Sequence, residues 1–493
     1  MREYSPKRRT ALVMSGSGTS GAYHAGVLKA LDESGVKVDL VVGSGVGTVA
    51  AAFAAASGGA KLYGADGFWA GVSWDALYRL RPAARMAILL LACSFGVFLL
   101  PVVLALAAGL LFPLVLIVDL VSPGWAGRAS ALLLIAPSAL RAPYLAALAL
   151  PIFFLCAAGL LALGRLWLTH RRRLAETFEW LLDPAPGRRR LLEALWEIAR
   201  GPAISSRASS EAELGRKYVA LLGENLGQPG FRELIVRAAD LETGSPLPFV
   251  VLGDGHRATF TAARARGPRS RLEGLPGAVD LRAPGYDALA FDAVMTGLLA
   301  PGVTPVRRVS FPRGGLFAGE SHRLTESGLA GGCGLAEAIA AGAEQVLVVT
   351  AAPEEAQPPA RRRGARALAD AVLATLERQA VEVDLRSTER INRMVETLGH
   401  RTEEGGRGWQ DPVTGRVYRS ITLYVIRPER RVLAPLDLDG SEDPATEVRT
   451  TPADLVELGY RDAYRLFVEP VVGAAPETPA AAPPVERPQA VEL

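Results

Sequence analysis

The sequence predicts an α/β protein, a three-layer sheet with helices on both faces, interrupted by a transmembrane helical hairpin. Three observations predict it. Strand, glycine-rich turn and helix occur twice in succession before residue 57. Two long apolar runs without charge follow. Strand-like and helical segments resume after residue 230. The composition fits. Of 493 residues 49% are hydrophobic, which excludes a disordered chain. The 54 Lys+Arg nearly balance the 51 Asp+Glu, so no nucleic-acid partner is indicated. With 3 Cys and no C-x-x-C spacing, neither a disulfide scaffold nor a metal site is expected, and no cofactor.

Residues 11–14 are a short apolar run with β character, followed by the turn Ser15-Gly16-Ser17-Gly18-Thr19-Ser20-Gly21. Residues 22–34 read as a helix with Val27, Leu28 and Leu31 on one face, and Gly35 stops it. A second strand over 38–42 leads into Gly43-Ser44-Gly45-Val46-Gly47, which opens a small-residue helix over 48–56. This order argues for parallel strands with helices packed on them.

The first turn has four readings. One is a dinucleotide fingerprint, Gly16-x-Gly18-x-x-Gly21, but no acid ends the second strand to hold a ribose. A second is a phosphate loop, without the Lys-Ser/Thr that should follow. A third is an oxyanion hole at a helix N-terminus. The fourth is a plain tight turn. The second turn holds both glycine places of a G-x-S-x-G nucleophile elbow, Gly43 and Gly47. Gly45 stands where that motif has serine.

The apolar runs are 86–118 and 144–163. Each is long enough for a bilayer core, which takes about 20 residues of helix. Arg79, Arg81 and Arg85 precede the first, and Arg165 and Arg171 to Arg173 follow the second, whereas the loop between carries only Arg128 and Arg141. The positive-inside bias places both outer ends in the cytoplasm. The expected parts are therefore 1–80, the first piece of the sheet domain; 81–170, the hairpin; 171–230, a charged helical connector; 231–470, the rest of the sheet domain; and 471–493, a disordered Ala/Pro-rich tail. Beyond the Pro/Arg-rich loop 353–366, one long helix is expected over 366–398 and a strand over 417–432. A further helix starts from Thr451 and Pro452.

Taken together, the two turns resemble those of the patatin-like phospholipase family, with its G-G-G-x-R-G oxyanion loop, its G-x-S-x-G elbow and a distant Asp-Gly-Gly/Ala motif. The likeness continues in 234–244, which ends Asp240-Leu241-Glu242-Thr243-Gly244, in 293–306, in Leu324-Thr325-Glu326-Ser327-Gly328-Leu329, and in 342–349. The resemblance implies a patatin-like sheet assembled from both sides of the apolar runs. Both sides then share one face of the bilayer and the crossings are even in number, two by expectation. It also implies a lipid or acyl-ester substrate and a serine–aspartate dyad.

Here Gly45 fills the serine place, Glu326 the aspartate place and Ser20 the arginine place of the oxyanion loop. Gly16, Ser17, Gly18, Ser20 and Gly21 make that loop; Gly43, Ser44 and Gly47 frame the elbow. Covalent catalysis needs a nucleophilic side chain, which glycine lacks. Three functions follow. The preferred one is a membrane-anchored, catalytically impaired relative of the lipid acyl hydrolases. The others are an active hydrolase using a displaced serine, with Ser44, Ser17, Ser20 and Thr48 at hand, and a structural membrane protein whose α/β module binds an unspecified protein partner. His24, His170, His256, His322 and His400 show no paired spacing, and His24 reads as a packed helix residue.

Overall fold

The computed structural model describes residues 4–81, 182–201, 208–264, 277–354, 365–401, 407–412, 417–429 and 450–473 apart from isolated positions, and scattered positions of 85–157. These form two compact units. The larger takes 1–78, 184–301 and 306–493; the smaller takes 79–183 and 302–305.

In the larger unit β1 (Thr10–Gly16), β2 (Leu40–Gly45), β3 (Glu233–Asp240), β4 (Ser245–Val251), β5 (Val279–Asp280), β6 (Arg307–Ser310), β7 (Ser321–Glu326), β8 (Gln345–Thr350) and β9 (Thr422–Ile426) build one nine-stranded sheet. Its order is β9-β8-β1-β2-β3-β4-β5, with β6 paired to β7 and β7 to β3. The first five strands run parallel. Parallel strands are covered on both faces, so they read as unbroken apolar runs, and every residue of β1, β2, β3 and β8 is buried. One core layer joins Val13, Val42, Ile235 and Val348 with Leu335, Val381 and Leu385 from the helices.

Helix α1 (Gly21–Glu33) follows β1 and α2 (Gly47–Ala55) follows β2. Small residues let α2 lie wholly buried. Helices α3 (Ala185–Ala199) and α4 (Glu211–Asn225) pack into this same unit: Tyr218 of α4 donates a 2.6 Å bond to the Ala52 carbonyl of α2. They are followed by α5 (Ala290–Met295), α6 (Leu335–Ala340), α7 (Ala365–Leu398) and α8 (Pro452–Ala463). The long helix expected over 366–398 is α7. Helix α8 starts as expected, with a capping box between Thr451 and Asp454. Gly26 of α1 and Gly459 of α8 sit where a Cβ would strike the other helix's backbone, so the two helices cross in close contact.

Two expectations need correction. The single strand over 417–432 is two pieces: Val417–Arg419 joins a separate antiparallel sheet with His400–Arg401 and Arg407–Gln410, and only β9 reaches the main sheet. The transmembrane hairpin is the larger correction. Among the described residues no helix is long and apolar enough to cross a membrane. The interrupted fold class and the multi-pass, two-span placement with cytoplasmic flanks fall with it. An apolar run of suitable length is necessary for a span, but a continuous helix of about 20 residues is needed too. Nearly all of 144–163, the Arg171 to Arg173 cluster and the tail 474–493 lie outside the described residues. In the smaller unit, Arg79–Leu80 pairs with Leu182–Asp183, and Leu182 N–H donates to the Val303 carbonyl at 3.1 Å.

Candidate active site

Strand register sets the site. Along one side of β3, β2 pairs as far as Ser44 against Arg237. From the next residue β7 takes over antiparallel, with Glu326 against Ala238. The ends of β2 and β7 therefore meet head to head, which brings together Gly45 and Glu326, 281 positions apart in sequence. A Cβ placed on Gly45 would lie 2.9 Å from Glu326 Oε1.

The elbow is a tight strand-to-helix turn. Gly45 has φ +59°, in the left-handed region glycine adopts freely. A Cβ on Gly43 would strike the Thr48 backbone, and one on Gly47 the Met14 carbonyl, so both flanking glycines are demanded sterically. Ser44 faces away from Glu326. Ser327 Oγ donates to the Arg237 carbonyl at 2.8 Å, so Ser44 Oγ donates to Ser327 Oγ at 3.0 Å. Thr48 Oγ1 donates to the Val294 carbonyl at 2.9 Å. Neither hydroxyl is available at the crevice.

The first turn lies against the second. Gly18 has φ +59° and opens a short 3-10 turn, with Ser20 Oγ on the Ser17 carbonyl at 2.7 Å. Gly21 is packed under the Trp69 ring and Val46. The Gly16 carbonyl accepts the Val46 N–H at 2.8 Å. In a nucleophile elbow the N–H of the residue after the nucleophile is an oxyanion donor. Here that N–H already has a backbone partner.

Ser17, 7% exposed, donates through Oγ to Glu377 Oε2 at 3.0 Å. Glu377, 6% exposed, comes from α7. Sequence reasoning missed it, because one more glutamate in a long charged helix carries no local signal. Glu326 is 3% exposed and its Oε1 has no hydrogen-bond partner. Burial, and then the nearby Glu377, raise its pKa well above the ordinary glutamate value, which favours the neutral acid. Its Oε1 points between Gly45 and Gly328.

His24 is also buried beside this turn. Its Nε2 lies 3.1 Å from the Ser15 carbonyl, which only accepts, so Nε2 carries the proton and Nδ1 is bare. Burial lowers its pKa to about 4. His24 Nδ1, Ser15 Oγ, Trp69 Nε1 and Glu326 Oε1 are all buried without partners. Their gathering at the two glycine turns sets this spot apart from an ordinary core, in which buried polar groups are paired. Elsewhere the fold pairs His322 with Asp240 at 2.8 Å, a contact the scattered spacing of the histidines concealed. Among the described residues no three His, Cys, Asp or Glu side chains are grouped to hold a metal.

One comparison with known proteins bears on this region. Residues 12–118 match the family model described as patatin-like phospholipase. No curated protein matches the chain. A crystal structure of VipD from Legionella pneumophila aligns over 94% of this chain and 67% of that one, at 12% identity and a TM-score of 0.30, too distant to carry an argument. The matched stretch holds β1, both glycine turns and Gly45, and ends before Glu326. The stretch that builds the two turns is thus similar to the patatin-like phospholipase family over residues 12–118, as the resemblance of the turns implied.

Proposed function

We propose that the crevice between the two glycine turns binds a lipid acyl ester, and that its elbow position is chemically silent. The Gly45–Glu326 juxtaposition carries this reading. A glycine cannot attack an acyl carbon, and the adjoining Val46 N–H is engaged by the Gly16 carbonyl instead of being open to an oxyanion. The ligand class rests on the family of the 12–118 stretch. The impaired elbow rests on the residues themselves: Gly45 in place of Ser, Glu326 in place of Asp, Ser20 in place of Arg. The unpartnered Glu326 Oε1 supplies a hydrogen bond to a neutral ester carbonyl.

Calorimetric titration with a short-chain diether phosphatidylcholine, kept below its micellar concentration, tests the binding. We expect saturable binding by wild type. Gly328→Val, which pushes a side chain toward Glu326 Oε1 and the Gly16 carbonyl, should abolish it while circular dichroism is unchanged. In parallel, Gly45→Ser should not raise cleavage of p-nitrophenyl butyrate. Absence of binding by wild type, or activity gained through Gly45→Ser, would overturn the reading.

A further inference from the structure

We propose that Ser17 and Glu377 form a displaced nucleophile–base pair in this crevice, with Glu326 donating to the substrate carbonyl oxygen, so that acyl esters are cleaved slowly without position 45. The proposal rests on the acyl-ester reading above and adds a reaction to it.

Three observations carry it. An activated serine is recognised by a base within hydrogen-bond reach, and Ser17 Oγ donates to Glu377 Oε2 at 3.0 Å with both groups buried. Ser17 directly follows Gly16, whose carbonyl crowds the Cβ position of Gly45, and its partner Glu377 acts electrostatically on Glu326 beside the elbow. Finally, Glu326 and Glu377 feel one another and sit in different surroundings. Glu377 has a hydroxyl donor on its carboxylate; Glu326 has none on Oε1. Two carboxyls whose surroundings differ in this way divide the roles of base and acid. A buried, neutral carboxylic acid is an oxyanion donor, and it replaces the Val46 N–H that the Gly16 carbonyl occupies.

The step balances. Ser17 Oγ bonds the acyl carbon as its proton passes to Glu377 Oε2. The carbonyl π pair moves onto oxygen, which takes the hydrogen bond from Glu326. Collapse breaks the ester C–O bond, and the departing alcohol leaves with the proton from Glu377. Water, giving a proton to Glu377, then attacks the acyl-Ser17 ester. Ser17 Oγ leaves and recovers its proton. The net change is ester and water to acid and alcohol.

A fluorophosphonate probe with peptide mapping by mass spectrometry tests the pair on the full chain, alongside the diether-lipid titration. Phosphonylation is expected on Ser17 and lost in Ser17→Ala. In Glu377→Gln, whose amide oxygen still accepts from Ser17, labelling should slow by about 10²-fold or more. Labelling confined to another serine overturns the pair. Lipid binding without labelling overturns the pair and leaves the binding reading standing. Absence of both defeats both. Retained lipid binding by Ser17→Ala confirms that this variant is folded.

Discussion

Replacing Gly45 by alanine measures how tightly the two turns are pressed together. Gly35, which ends α1 at φ +64°, provides the reference, since Gly45 has φ +59°. An L side chain in this region costs about 1–2 kcal/mol at either site. At Gly35 a Cβ would meet nothing within 4 Å. At Gly45 it would fall under 3.0 Å from the Gly16 carbonyl oxygen and 2.9 Å from Glu326 Oε1. Relief requires the Gly16 carbonyl to withdraw, which breaks its bond from the Val46 N–H. A buried backbone pair separated without new partners costs about 1–3 kcal/mol. Gly35→Ala should therefore lose about 1–2 kcal/mol, and Gly45→Ala about 2–5 kcal/mol. Urea unfolding of both variants, with midpoints and slopes compared, reads the difference. Equal losses at the two sites would refute the contact between the turns, and with it the reason why serine at position 45 does not restore an elbow.

Three further outcomes follow from the site and its supports. Glu326 has a raised pKa, so its contribution to stability is whole below the ordinary glutamate value of 4.5 and falls as pH rises above it, by up to about 1.4 kcal/mol per pH unit; Glu326→Gln should remove that slope from unfolding midpoints measured between pH 5 and 8. His24 runs the opposite way: lowered from 6.5 to about 4, it contributes fully above pH 6.5, and about 3 kcal/mol is lost as pH falls toward 4, a loss that His24→Gln should flatten in acid titrations followed by fluorescence. Thr451→Ala removes the capping hydroxyl of α8 and should cost about 1 kcal/mol in urea unfolding.

The parts of this fold that were legible in sequence are those in which neighbours in the chain are neighbours in space. β1, its turn, α1, β2, its turn and α2 are local, and glycine spacing reported the two turns because steric demand fixes them. The head-to-head meeting of β2 and β7 was legible only through the resemblance, since no periodicity links Gly45 to Glu326. Glu377 was invisible: it reaches Ser17 from 360 residues away, on a helix whose charges all look alike. The 417–432 segment misled because alternation marks a strand without telling which sheet it joins. The membrane hairpin rested on hydropathy alone, and among the described residues no helix is long and apolar enough to bear it out. The role of His322 was hidden for a similar reason: its partner Asp240 lies on another strand.

The sheet places β1 between β2, which follows it closely, and β8, in which Gln345 pairs with Thr10 across 335 residues. At about 5–20 residues per second of synthesis, the first strand waits on the order of 20–70 s for its second neighbour to leave the ribosome. During that wait a nearly all-apolar edge is unprotected, and α8, which clasps α1, arrives later still. Assembly of this sheet thus waits on pairing across most of the chain, and a nascent chain halted in the middle of its length presents an open strand edge for a chaperone to cover.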